Sequence, residues 1–556
     1  MKPEILEQLR SVFNGDMYTD PVVLKEYSRD ASVCEIIPQV VLCPKTIEDV
    51  KSIVKFVSNN PGLSITVRAA GTDMSGAAIG ESIILDVNKY IQGIVSWGTI
   101  GKNEAEITVL PGTFYRDFEK ETMSKGFFLP SYPASKLINT VGGMVGNNSA
   151  GEKTLTYGQT EKYVKSLKVI LRDGNEYFVK PLNKIELDKK LAQNDLEGEL
   201  YKSVWKIVSE NADEIKNAKP ITSKNSAGFA LWNIWNDENF KESDDFFDLT
   251  KAIVGSQGTL GIVSEITFKL VPVHLKSQML VVFMPSLDPI GPLVKDILTF
   301  SPTSLESYDE ETIKLAVKYF RDLPHQAKWW SFLKLAWDFM PEFQMVRSGG
   351  LPKLVLLIEF TGDADDEIAE KIKKLDALIK DKYYLKTEYV TSPSKAKKFW
   401  TIRRESYNLL RKHAEGKKIA AFIEDVIVPP EHLPEFLPQY REILHSYNLT
   451  YSIAGHAGSG NFHVFPLMDF KNPEHIDNII EISKKVYNLV TQYKGSITAE
   501  HSDGIVRAPF LSKMFTPKTL ELFVELKKSF DPQNIFNPGK KVGATVEYFK
   551  NHIIRE

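Results

Sequence analysis

Two textures of apolar and polar positions divide this chain. Up to about residue 272, short apolar runs alternate with glycine-rich loops. Residues 40–44, 66–68, 82–87 and 106–112 read as strands. Residues 46–57 carry apolar positions at helical spacing, with Thr46 as N-cap. Residues 163–178 read as a hairpin with Asp173 and Gly174 in its turn, and Thr267–Val273 closes the region. Strands and helices do not alternate strictly, so a plain Rossmann sheet is not expected.

From about 275 to 495, strands such as Gln278–Met284 and Leu354–Glu359 alternate with long amphipathic helices, Asp365–Lys380 and Glu474–Tyr493 among them. This pattern predicts an antiparallel sheet with helices on one face. A last helix after 515 ends at Phe530, before an Asp-Pro step. Between 310 and 350, Tyr319, Phe320, Trp329, Trp330, Phe332, Trp337 and Phe339 crowd a segment that also holds Lys334 and Arg347. The favoured reading is a helical excursion packed on its domain. The sharper one is an amphipathic lid touching a membrane surface or an electron-accepting partner.

Composition narrows the function classes. A 556-residue chain has room for two or three domains. A net charge of −3 gives no electrostatic case for nucleic acid. Two cysteines, Cys34 and Cys43, are too few for a disulfide scaffold or an iron–sulfur cluster of the chain's own thiolates. The N-terminus has no apolar signal region, and no run approaches the ~20 apolar residues of a membrane span. A cytoplasmic protein is expected, with any membrane contact peripheral at the inner face.

Candidate chemistry gathers in glycine-flanked runs. Three small-residue loops, 68–78, 140–151 and 255–263, let backbone approach a ligand and aim N–H groups at phosphate oxygens. None is a Walker or Gly-x-Gly-x-x-Gly loop, and each alone reads as a turn. Three together point to a long cofactor clamped from several sides. Of ten histidines in the chain, His456 and His463 lie seven apart in a Gly/Asn-rich loop, and His501 follows Glu500. Such groups bind a divalent ion or move protons. His274, His325, His413, His432, His445, His475 and His552 read as structural.

In combination these runs resemble the FAD-linked oxidase family, with its vanillyl-alcohol-oxidase (PCMH) type flavin domain. Within that family they are most similar to D-lactate and D-2-hydroxy-acid dehydrogenases and the glycolate oxidase flavin subunit. The matching runs are Arg68–Gly76 (Ala69 at a usual glycine), Thr140–Met144, Gly255–Ile262 (Gln257 for an acid) and Asp531–Lys540. The His-x-Gly-Asp-Gly-Asn-x-His motif is matched at His456 and His463, with Ser459 for the aspartate. The resemblance implies an α+β fold: an FAD-binding domain at 1–272, a substrate cap at 273–495 with an antiparallel sheet covered by helices, and a segment 496–556 returning to the flavin domain. It implies FAD held by Arg68, Ala70, Gly71, Thr72, Asp73, Ser75, Pro133, Thr140, Gly142, Gly143, Gly146, Asn148, Gly151, Gly258, Gly261, Ile262, Val263 and Asn537. The flavin loops hold no histidine, so the FAD is expected to be non-covalent.

The resemblance further implies a divalent metal, zinc first, on His456, His463 and Glu500. His501 is then the base, Arg403 (with Arg404 as alternative) grips the carboxylate of a D-2-hydroxy acid, and hydride passes to flavin N5. For Arg403 the plain alternative is a surface residue of its helix. D-lactate is the first choice of acid, before D-2-hydroxyglutarate and glycolate. Because no iron–sulfur module is fused here, a separate acceptor is expected: an iron–sulfur protein, an electron-transfer flavoprotein or a quinone. A homodimer is expected. Metal-free sugar or aldonolactone oxidation, ether exchange as in alkyl-glycerone-phosphate synthases, and a non-catalytic FAD-binding paralogue are the competing readings. Ser459, and Ile423 where some relatives carry a lysine, keep the last one open.

Overall fold

The computed structural model describes residues 1–236, 245–319, 350–412, 414 and 416–555. Among them the strands form three sheets. The first contains β1 (Asp16–Tyr18), β2 (Val40–Cys43), β3 (Ile65–Arg68) and β4 (Ile83–Asp86), in the order β1-β2-β4-β3. β4 is parallel to both β2 and β3. Parallel neighbours need a long crossover, and between β3 and β4 that crossover is the glycine-rich loop 69–82. β2 and β3, which flank β4, are connected by the helix Ile47–Ser58. The expected cap is present: Thr46 Oγ1 accepts from Asp49 N at 3.2 Å, and Asp49 Oδ2 accepts from Thr46 N at 2.9 Å. Val50, Ile53 and Val54 of this helix pack on Val40, Leu42 and Ile83.

The second sheet contains β5 (Ile94–Ile100), β6 (Ala105–Val109), β7 (Phe127–Phe128), β8 (Val164–Ile170), β9 (Glu176–Val179) and β10 (Ile262–Pro272). β10 is its central strand, between β6 and β8. It starts five residues before the expected Thr267, because the loop 255–261 feeds straight into pairing with β8. The β8–β9 hairpin turns through Asp173 and Gly174, where φ of +73° suits glycine.

The third sheet contains β11 (Lys276–Met284), β12 (Ser304–Asp309), β13 (Leu354–Gly362), β14 (Lys386–Val390), β15 (Lys418–Ile419), β16 (Val426–Ile427), β17 (Thr450–His456) and β18 (Asn461–Met468). All its pairings are antiparallel, in the order β14-β11-β13-β12-β17-β18-β15, with β16 on β18. Helices cover both of its faces, not one. Leu280, Val282, Leu356 and Ile358 pack with Ile368, Ile372 and Leu375 of the helix Asp365–Tyr383. Met279, Val281, Val355 and Leu357 pack with Phe399 and Ile402 of the helix Pro393–Lys412. The physical reason is in the strands themselves: β11 and β13 are continuous apolar runs, which need cover on each side.

The last residues come back to the first sheet. Ile65 bridges to Phe536, and Asn537 Nδ2 donates to Ala77 O (2.9 Å) and Gln257 O (2.7 Å). In the aromatic segment, Glu310–Lys318 is helical and Tyr319 packs on the third sheet's cluster. Phe320, Trp329, Trp330, Phe332, Lys334, Trp337, Phe339 and Arg347 lie outside the described residues, as do His325 and His413. Among the described residues no helix is long and apolar enough to cross a membrane.

One glycine joins the C-terminal stretch to the loop after β3. Gly504 has φ of +51°, and a Cβ there would lie 2.1 Å from Ser75 O. Its N–H donates to Gln257 Oε1 at 2.8 Å, and Ile505 N donates to Ser75 O at 2.8 Å. Gly504→Ala is expected to cost on the order of 2–3 kcal/mol through strain and clash. Chemical denaturation checks this; an unchanged midpoint would show the junction to be compliant.

Candidate active site

Sheet register brings the two motif histidines together. β17 and β18 pair Ala454 with His463, and His456 with Asn461. Directly opposed residues share a face, and so do residues two apart on one strand. His456 and His463 therefore point the same way, and their ring centroids are 5.2 Å apart. Tyr308 of β12 also opposes Ala454, which puts Glu306 on that face as well. The helix Pro393–Lys412, with Arg403, covers this side.

Glu500 and His501 arrive on the 496–503 segment. On a straight strand adjacent side chains diverge. Here Asp425 Oδ2 accepts both backbone N–H groups, Glu500 at 2.9 Å and His501 at 2.7 Å. Ser502 then takes φ of +64°, an uncommon value for a residue with a Cβ. The bend lets both side chains reach one place.

Three imidazole Nε2 atoms converge on Glu500 Oε1: His463 at 3.2 Å, His456 at 3.3 Å and His501 at 3.8 Å. Each ring is held from behind through Nδ1–H. His456 donates to Glu306 Oε1 (2.6 Å), His463 to Glu424 O (3.1 Å) and His501 to Glu424 Oε1 (3.1 Å). A neutral ring so held presents a lone pair at Nε2. Lone pairs facing a carboxylate oxygen call for a proton or a cation between them, and this donor set fits a divalent ion. Asp425 is also near, its ligand atom lying within 4.8 Å of those of His463, Glu500 and His501. We assign it to holding backbone, because Oδ2 also accepts from Thr498 Oγ1 at 2.7 Å and Oδ1 faces Asn461 Nδ2 at 3.4 Å. Ser459 is buried in the turn between the two histidines and is not part of the cavity wall.

Charge balance sets the protonation of the cluster. Burial works against ionised Glu500, yet Lys224 and His456 hold its carboxyl well below the usual range. Burial opposes ionised Glu424 too, but Arg507 and His501 bring it to about 2. Burial disfavours imidazolium at His501; Asp425, Glu424 and Glu500 outweigh it and push the pKa up to about 9. Glu306 outweighs burial to raise His456, whereas burial prevails and lowers His463.

A cavity of about 1210 Å³ runs from the three glycine loops to this cluster. Of the expected cofactor residues, Arg68, Ala70–Asp73, Pro133, Thr140, Gly142, Gly143, Gly146, Gly258 and Gly261–Val263 line it. So do Arg403, Arg404, His456, His463, Glu500 and His501. A Cβ on Gly146 would meet nothing within 4 Å, so its absence keeps the wall bare and leaves room for a group lying on the backbone. Ser75, Asn148, Gly151 and Asn537 are not in the wall; Ser75, Asn148 and Asn537 tie separate segments together, and Gly151 makes a local bond. Ser75 Oγ accepts from Gln257 Nε2 (2.9 Å), Asn148 Oδ1 from Glu161 N (2.9 Å), and Gly151 N donates to Thr154 Oγ1 (2.7 Å). Arg403 contacts Glu306 at 3.1 Å, and Arg404 contacts Glu152 at 2.7 Å.

The profile described as FAD binding domain matches residues 38–178, and that described as FAD linked oxidases, C-terminal domain, matches 276–541. The chain belongs to the FAD-linked oxidase family. It is 27% identical over 540 residues to the D-2-hydroxyglutarate dehydrogenase of Escherichia coli (strain K12), covering 95% of this chain and 50% of that protein. It is 26% identical over 543 residues to the glycolate oxidase subunit GlcD of Bacillus subtilis (strain 168), covering 97% and 96%. This FAD-linked oxidase thus spans about half the length of the D-2-hydroxyglutarate dehydrogenase and nearly all of GlcD. The fold is shared with 4-ethylphenol oxidase from Gulosibacter chungangensis, TM-score 0.67 at 14% identity, covering 99% of each chain.

Sequence reasoning missed Glu306, Glu424, Lys224 and Arg507. One of them left a trace: Glu424, with Asp425, interrupts an apolar run from Ala420 to Val428, whereas the strand of Glu306, half polar in sequence, shows its burial only in the fold. Acids in such positions are costly unless paired. Arg507, fully buried, donates to Glu424 and to Ser502 O (3.0 Å). Glu424→Ala strands that guanidinium and is expected to cost about 3–5 kcal/mol. Equilibrium unfolding measures it; a loss under 1 kcal/mol would mean another acceptor replaces Glu424.

Proposed function

We propose that this chain is an FAD-dependent, metal-assisted dehydrogenase that oxidises a D-2-hydroxy acid to the 2-oxo acid. The observation that carries the reading is the continuous cavity, with glycine loops at one end and the Nε2 cluster at the other. The names of the relatives, D-2-hydroxyglutarate dehydrogenase and glycolate oxidase subunit, support the substrate class.

His456, His463 and Glu500 would hold the ion, zinc first. A divalent ion bound there would supply Lewis acidity, and its charge would oppose the carboxylates that keep His501 protonated. FAD, when bound, supplies the acceptor for the hydride that leaves C2. His501 Nδ1–H is committed to Glu424, so Nε2 is the atom that takes the hydroxyl proton. Arg403 offers a planar guanidinium to the substrate carboxylate, with Glu306 fixing its orientation. D-lactate is the first acid to test, then D-2-hydroxyglutarate and glycolate. Electrons then pass to a separate carrier, and a cytoplasmic homodimer completes the reading.

Anaerobic mixing of the yellow protein with these acids is expected to bleach the flavin band with the D-enantiomers of the chiral acids. Bleaching by none of them would favour the non-catalytic reading. His501→Ala should retain FAD and slow bleaching by roughly 100-fold or more; reduction at the native rate would remove His501 from the role of base. Acid precipitation should leave the yellow colour in the supernatant, as non-covalent FAD requires. Flavin retained in the pellet would contradict that.

A further inference from the structure

Lys224 is buried to 1% exposure and reaches the cluster from the N-terminal half of the chain. Its Nζ donates to Glu500 Oε2 at 2.8 Å and to Asn461 Oδ1 at 2.9 Å. Asn461 is turned to receive it, because its Nδ2 donates to Val426 O at 3.0 Å. The loop carrying Lys224 is locked to the segment carrying Glu500. Ser226 N donates to Thr498 O (3.2 Å), Ser226 Oγ to Ala499 O (3.1 Å), and Gly228 N to Asp503 Oδ2 (2.8 Å). The ammonium is thus delivered to one carboxylate oxygen, while the other, Oε1, faces the three imidazoles.

We propose that Lys224 is the positioning residue for the metal-binding carboxylate, confining Glu500 to a single ligand oxygen. This rests on the metal reading above. A carboxylate with both oxygens available can rotate and chelate an ion through both. Lys224 occupies Oε2 and prevents that, leaving one oxygen and two imidazoles as ligands and the remaining positions for substrate. The sign of the effect separates this role from a plain charge effect. A cation beside a dication weakens binding by repulsion, so removing it for charge alone would tighten the site. Removing a group that orients a ligand loosens it, commonly 10–100-fold.

The test uses the full chain with FAD bound and Co²⁺ as the probe. Wild type and Lys224→Met are titrated against a competing chelator, and the visible cobalt bands report coordination. Flavin content and far-UV circular dichroism verify the fold. The proposal expects Lys224→Met to bind Co²⁺ about 10–100-fold more weakly, with altered bands. Equal or tighter binding with unchanged bands overturns it and leaves the metal reading intact. Wild type that takes up no Co²⁺ overturns both. If Lys224→Met loses flavin, Lys224→Gln, which keeps a donor without the charge, is judged by the same criteria. Loss of flavin in both variants makes Lys224 a residue of the fold and overturns the positioning role.

Discussion

Burying Glu306, Glu424, Asp425 and Glu500 around three imidazoles is the constraint on which this molecule turns. Left unpaired, each carboxylate would cost several kcal/mol. Each is matched instead. Lys224 meets Glu500, Arg403 meets Glu306, Arg507 meets Glu424, and backbone N–H groups meet Asp425. The result is rigid: every histidine of the cluster has its Nδ1 anchored, so its Nε2 has a defined direction.

That network also explains why the two halves of the chain depend on each other. The third sheet supplies His456, His463 and Glu306, and the N-terminal half supplies Lys224 and the glycine loops. Gln257 and Gly504 stitch the seam through Ser75. A cofactor stretched along the loops would end where the imidazoles begin, because one cavity joins them.

Particular residues show where sequence reading succeeds. The Thr46 cap, the Asp173–Gly174 turn and the strands at 40–43 and 83–86 were legible because their signals are local. His456, His463 and Glu500 stood out because such residue types in glycine-flanked runs are unusual core chemistry, and the structure brings their side chains together. The covering of the third sheet on both faces was readable in the apolar runs of β11 and β13, but alternation with amphipathic helices suggested one face. Ser75, Asn148 and Asn537 lie beside the cavity wall yet spend their side-chain hydrogen bonds on protein groups, a matter of rotamer and register that no motif carries.

By itself the sequence determined the elements, the glycine loops and the residue types able to bind an ion, since these depend on neighbours a few positions apart. Only the tertiary structure decided which groups complete the site. Lys224 and Glu500 are 276 positions apart, and Glu306 and His456 are 150 apart. Such pairs meet through sheet register and loop closure, and pairing across that distance leaves no periodic trace in the chain.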